Sequence, residues 1–208
     1  MGTNRLETFA DGVFAIAATL LILNVDSQIG SSAELHRSLA HELLHAWPSY
    51  VGYVVSFATI GVIWANHHSV MSQIDRVDRT FLMLTVGFLL CVAFIPFPTR
   101  LIAEFVRDGD NATAATTAYG ATLSLTAAFF NALWIYASRH HRLLRADADA
   151  VVVAGITRSF RPGLPVYLVA TLVGLFSPIA SAVLYAVIAV FYVVESSVFG
   201  RRAVERDA

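Results

Sequence analysis

Apolar residues gather into six long blocks along this chain, separated by shorter stretches that carry most of the charge. The blocks run approximately over 5–25, 48–70, 80–102, 113–138, 162–176 and 179–199. A helix rises about 1.5 Å per residue, so about 20 residues cross a hydrocarbon core of ~30 Å. The pattern therefore predicts an all-α polytopic membrane protein, with six transmembrane helices forming one domain over residues 1–208. The fifth block is the weakest, since Pro162, Pro165 and Pro178 bound it. Between Asp26 and Ala46 the chain turns polar, yet Leu35, Leu39, Leu43 and Leu44 recur at helical spacing. That spacing predicts a short amphipathic helix over about 31–45, lying on the membrane surface.

The first block is the most informative. It reads RLETFADGVFAIAATLLILNV from Arg5 to Val25. Gly12 to Val25 is too short to span alone; counting from Arg5 gives a helix of about 31 Å. A spanning helix must then carry Asp11 into the membrane, where a carboxylate is expensive and points to function. A cleaved signal peptide is the alternative. Against it, Arg5 is offset by Glu7 and Asp11, and no clear small-x-small cleavage site follows.

Composition narrows the class. Of 208 residues 57% are hydrophobic and 14% charged, and mean hydropathy is +0.65, more apolar than a soluble domain of this size needs. A net charge of −1 implies no attraction to nucleic acid. All fourteen basic residues are arginine. With both termini on one side, that side collects Arg5, Arg76, Arg79, Arg139, Arg142, Arg145, Arg158, Arg161, Arg201, Arg202 and Arg206. The other side holds Arg37 and Arg107, with Arg100 near a span end. Positively charged loops stay cytoplasmic, which places both termini inside the cell. Cys91 is the only cysteine, so neither an internal disulfide nor a thiolate metal site can form.

Four constellations could carry chemistry. Ile16, Thr19, Leu20 and Leu23 fall at i, i+3, i+4 and i+7 and make one stripe on the first helix. Around a symmetry axis such a stripe gives aliphatic rings with one hydroxyl layer, a constriction able to gate by dewetting. On spacing alone, an ordinary lipid-facing or packing stripe is the better account. Trp64, Asn66, His67 and His68 end the second block. Adjacent histidines on a helix point about 100° apart, so they make a poor metal pair, and structural hydrogen bonding is the better reading. Pro96 and Pro98 distort the third block, beyond which Arg100 and Glu104 are spaced to pair at i, i+4. Glu195 lies near the inner end of the last block, with an interfacial carboxylate the default reading. No nucleophile arrangement and no Gly-rich phosphate loop appears, which argues against an enzyme and calls for no cofactor.

Together these residues resemble the prokaryotic six-span form of the TMEM175 family of potassium channels, the DUF1211 family. Arg5, then Phe9-Ala10-Asp11, is similar to the family's opening motif of Arg, three residues and Phe-Ser-Asp, with Ala10 in place of Ser. Gly12-Val13-Phe14-Ala15-Ile16-Ala17, Trp64 with His67-His68, and Phe97-Pro98-Thr99 are similar to further family elements. The resemblance implies a homotetramer whose first helices line a central pore, conducting cations with a preference for potassium and without a TVGYG loop. It puts the hydrophobic constriction on Ile16, Leu20 and Leu23, with Thr19 as the polar layer. It assigns Arg5, Asp11, Trp64, His67 and His68 to a network positioning that helix. The expected ligand is permeant K+, the expected partners are further copies of the chain and the lipid bilayer, and the expected location is the plasma membrane. The rivals are a proton- or cation-coupled carrier using Asp11, His67, His68 and Glu195, and a haem protein or membrane enzyme with histidine ligands.

Overall fold

A computed structural model describes residues 3–25, 39–148 and 150–204, with backbone alone at 39, 42, 110 and 195–204. The described chain is helical: α1 (Thr3–Leu20), α2 (Leu39–His45), α3 (Trp47–Met71), α4 (Arg79–Phe94), α5 (Pro96–Phe105), α6 (Gly109–Ser138), α7 (Ala150–Phe160), α8 (Gly163–Gly174) and α9 (Pro178–Val204). Beyond Leu20 the first helix continues through a turn to Val25.

The six apolar blocks each became helix. Four stretches among the described residues are long and apolar enough to cross a bilayer: Thr3–Val25, Trp47–Met71, Arg79–Phe105 and Asn111–His141. The last block yields a shorter apolar stretch, Pro178–Val194. Only twelve residues of the fifth block form α8, about 18 Å of helix, because Pro162 precedes it and Pro178 closes it off.

Three local features differ from the sequence expectation. The third block is two helices, meeting at Ile95, where Pro96 and Pro98 cannot donate backbone hydrogen bonds. Helix α7 was not anticipated: Val151 and Val152 are exposed while Phe160 is buried, and Trp134 donates its indole N–H to Thr157 at 2.9 Å. Of the interfacial helix expected over 31–45, Leu39–His45 is helical with Leu44 exposed. Its first half, with Leu35, lies outside the described residues.

Inside lipid, helices gain little from burying apolar surface, so association rests on close packing and interhelical hydrogen bonds. An aromatic file runs through the bundle, with Phe88–Phe130 centroids at 5.2 Å and Phe130–Phe160 at 4.6 Å. Glycine permits the tightest approach: a Cβ on Gly120 would overlap Tyr185 and Thr171. The Tyr185 hydroxyl reaches the Thr171 hydroxyl at 3.2 Å, tying α9 to α8 beneath α6.

At the end of the bundle holding the start of α1, two turns pair across the helices. Asp75 N donates to Leu143 O and Arg145 N to Gln73 O, both at 2.9 Å. Asp78 caps α4, accepting from Phe81 N at 2.8 Å and from the Tyr136 hydroxyl at 2.6 Å. Arg142 stands 3.7 Å away. Desolvation pushes the Asp78 carboxyl up, but the Phe81 amide, Tyr136 and Arg142 outweigh it, so its pKa lies below the ordinary carboxylate value.

Gly120→Ala should lower stability by about 1–3 kcal/mol through overpacking; thermal melts in detergent test this, and an unchanged midpoint would contradict the packing described. Asp78→Asn keeps a capping oxygen, since asparagine caps about as well as aspartate, and should cost about 0.3–1 kcal/mol through loss of the negative charge at the start of α4. A depressed carboxylate stabilises above its unfolded pKa, about 3.9, and loses that contribution as pH falls through the lower folded value. The gap between wild type and Asp78→Asn should therefore close on acidification below pH ~4; a gap that stays constant there would show that the carboxylate charge contributes nothing.

Candidate functional site

Helix α1 has two unlike faces. Leu6, Ala10, Phe14, Ala17 and Leu21 are buried against the bundle. On the other side Phe9, Ile16, Leu20 and Leu23 stand 56%, 61%, 42% and 58% exposed in the single subunit. Thr19 is exposed on the same side. Its hydroxyl donates to Ile16 O at 2.9 Å, which uses its one hydrogen and leaves oxygen lone pairs outward. After Leu20 the backbone tightens into i→i+3 bonds, Ile22 N to Thr19 O at 3.3 Å and Asn24 N to Leu21 O at 3.2 Å. Three-residue periodicity eclipses i and i+3, which suits Leu20 and Leu23 to one line.

Both ends of this helix are tied. At its start, Trp64 donates its indole N–H to Asp11 Oδ1 at 2.9 Å. One turn further along α3, His68 Nδ1 lies 2.9 Å from Glu7 Oε1 and stacks on Trp64 at 6.2 Å. At its far end, buried Asn24 donates its amide to Pro96 O at 2.9 Å, on the break between α4 and α5. That break rests in turn on a buried hydroxyl cluster: Ser56 lies 2.8 Å from Thr99 and 3.1 Å from Tyr119.

The residues expected to form one network are thus divided. Asp11 and Trp64 are joined. His68 meets Glu7, which sequence reasoning had treated only as an offsetting charge. His67 is buried in an aromatic sandwich, 5.7 Å from Phe14 and 5.6 Å from Phe88, the latter nearly parallel at 11°. Arg5 is exposed and forms no ion pair with Asp11 among the described residues. Ala10 is wholly buried on the packing face, so its departure from the family Ser falls in a helix contact rather than beside the exposed Asp11 carboxylate. Arg100 and Glu104 pair at 2.6 Å, as i, i+4 spacing predicts. Glu195 lies on α9 with its side chain outside the described residues. Among the described residues, no three His, Cys, Asp or Glu side chains gather where a metal could be held.

Sequence reasoning missed Asn24, Glu7, Ser56 and Tyr119. Their one signal was a polar side chain within or beside an apolar block, which does not name a partner.

A potassium channel of Chamaesiphon minutus is 38% identical over 195 residues, covering 94% of this chain and 95% of its own. The chain belongs to the TMEM175 family. The family model, described as the endosomal/lysosomal potassium channel TMEM175, matches residues 5–96, a stretch that contains Asp11, Asn24, Trp64 and both α3 histidines. A potassium channel of Streptomyces collinus is 41% identical over 148 residues, 71% of this chain and 70% of its own. The crystal structure of a lysosomal potassium-selective channel TMEM175 homolog from Chamaesiphon minutus superposes with a TM-score of 0.81 at 35% identity, covering 93% of this chain and 97% of that one. For a TMEM175 family member, a first helix packed on one side only and pinned at both ends is the notable local geometry.

Trp64→Phe and Asp11→Ala should each lower the melting midpoint, through loss of about 1–2 kcal/mol from a hydrogen bond to a charged group. Combined, they should cost little more than either alone. Strict additivity in that double-mutant cycle would separate the two side chains energetically.

Proposed function

We propose that this chain forms a passive, weakly to moderately potassium-selective cation channel. In this reading six-span subunits assemble as a homotetramer in the plasma membrane of a prokaryote, with both termini cytoplasmic. The observation that carries it is the uncovered stripe of α1, since a membrane protein gains by sealing such a face against copies of itself or lipid. The potassium-selective relative of similar fold argues for the former.

Four α1 helices around an axis would turn Ile16, Leu20 and Leu23 into successive aliphatic rings, with the Thr19 oxygens between them. A cation would shed part of its water at the rings, and Thr19, its hydrogen already engaged, would offer oxygen in return. The ion moves down its electrochemical gradient, so the channel needs no cofactor, and K+ is the permeant species. Asp11 serves to hold α1 through Trp64 rather than to set ion preference. The arginine-rich loops orient the assembly by the positive-inside rule. Helix α8 alone is shorter than a hydrocarbon core, so in this reading the fifth pass also takes in chain from the α7 side, and α9 makes the sixth, joined to α8 by a hairpin whose tip carries the 89% exposed Phe176.

A coupled carrier built on Asp11, His67, His68 and Glu195 fits less well. Two of these side chains are already engaged by Trp64 and Glu7, and a third is walled by phenylalanines.

Ile16→Asn and Leu23→Asn should each raise unitary conductance and relax K+/Na+ discrimination, because a polar ring lowers the dewetting barrier. Single-channel recording in planar bilayers tests this; unchanged currents from both variants would remove these positions from the constriction. Asp11→Ala should reduce assembled protein on size exclusion more than it shifts reversal potential. Normal assembly with inverted selectivity would contradict the positioning role.

A further inference from the structure

A groove of about 890 Å³ opens between α4 and α6, at the end of the bundle that holds the start of α1. Its two parts differ in chemistry. Leu84, Ala132 and Ile135 make an apolar wall on the sides of the two helices, and Ile135 is 57% exposed. Arg76, Arg139 and Arg142 stand at the rim with His140 and His141. In a bilayer an apolar wall of this kind suits acyl chains and an arginine rim at a helix end suits headgroups.

Charge at the rim is positive after its internal pairing is counted. Two anions lie beside it: Asp78, engaged by Arg142, Tyr136 and the Phe81 amide, and exposed Asp75, against which the three arginines still leave positive charge. Arg142 also lies over the Tyr136 ring at 4.8 Å, which fixes its guanidinium. Arg76 donates to Arg142 O at 3.2 Å, which orients it while leaving further N–H donors outward. Arg139 is exposed and forms no ion pair among the described residues. Two guanidinium groups thus remain for an outside anion.

The backbone here is strained. His140 has φ 56° and ψ 30°, and His141 has φ 50°, both left-handed conformations that non-glycine residues adopt at a penalty. The turn holds Arg139 and Arg142 on either side of two histidines instead of letting α6 run on. Basic pockets between transmembrane helices at a membrane face are suited to lipid phosphates.

We propose that this groove binds an anionic phospholipid, its phosphate held by Arg76 and Arg139 and one acyl chain laid along Leu84, Ala132 and Ile135. The shared feature required is a phosphate joined to an apolar chain, which a free phosphate lacks. The site stands apart from the α1 stripe and needs no ion conduction, so it can fail while the channel reading survives.

The test is lipid retention by the intact assembly. Protein is reconstituted in phosphatidylcholine vesicles containing phosphatidylglycerol and extracted in mild detergent, and the lipid carried along is quantified by mass spectrometry. Wild type should retain phosphatidylglycerol in excess over its share of the vesicle. The pair Arg76→Gln with Arg139→Gln should weaken retention about tenfold or more, as expected for removing two phosphate-facing arginines. Ala132→Trp, which fills the groove and leaves every charge in place, should do the same, and it decides the matter if the arginine pair misfolds. Arg158→Gln with Arg161→Gln removes two exposed arginines elsewhere and should retain lipid like wild type.

Equal loss in that control would reduce the effect to diffuse surface charge and overturn the proposal. Normal retention by Ala132→Trp would overturn it too. Displacement by inorganic phosphate alone would assign the rim to a free anion. Cross-linking of Cys introduced at Ile135 to a second copy would assign the groove to a subunit contact.

Discussion

The structure depends on holding one helix by a single side. Among lipid tails an apolar helix gains almost nothing by leaving the bilayer for its neighbours, so the grip on α1 must come from shape and hydrogen bonds. Shape is supplied by Leu6, Ala10, Phe14, Ala17 and Leu21, in which two alanines let the backbone come close and Phe14 reaches the His67 and Phe88 rings. Hydrogen bonds are supplied at the ends, where Trp64 meets Asp11 and Asn24 meets Pro96. Fastening at both ends leaves the middle of the other face free of polar partners from its own subunit. That is the stretch holding Ile16, Thr19 and Leu20.

The polar groups within the bundle follow one economy. Threonines that face the packing hand their hydroxyl hydrogen back to the carbonyl one turn earlier, as Thr85, Thr116 and Thr126 do. Among the described residues, hydroxyls that link different helices form two clusters, Ser56 with Thr99 and Tyr119, and Tyr185 with Thr171, beside the single links of Tyr136 to Asp78, Trp134 to Thr157 and Ser181 to Ala170 O. These clusters sit where α3 meets α5 and α6, and where α8 meets α9, so each marks a crossing that apolar packing alone would leave free to slide.

Much of this was legible in the chain. Block length and hydropathy gave the helices, and i, i+4 spacing gave the Arg100–Glu104 pair. Spacing put Ile16, Thr19, Leu20 and Leu23 on one side of α1, since a residue's side on a helix follows from its number alone; that this side is the exposed one came from the fold. What stayed hidden was of two kinds. Helix α7 carries no long apolar run, and its amphipathic pattern over eleven residues is too short to stand out beside the spans. Partnerships across the fold were the other kind: Glu7 with His68, Asn24 with Pro96, Ser56 with Tyr119. Each joins residues dozens of positions apart, and sequence spacing carries no distance information on that scale. The separation of His67 from His68 was foreseeable as a 100° divergence, but that one would enter an aromatic stack depended on Phe88, which α4 alone brings there.

Because Asn24 is fastened to the carbonyl of Pro96, the closing turn of α1 has no address of its own. It sits wherever the broken third span puts its elbow, and that elbow is braced in turn by Ser56 and Tyr119 from two further helices. The far end of the exposed stripe, at Leu23, is therefore positioned by way of Pro96, Ser56 and Tyr119, and a bend introduced at two prolines becomes the fixture that sets where α1 closes.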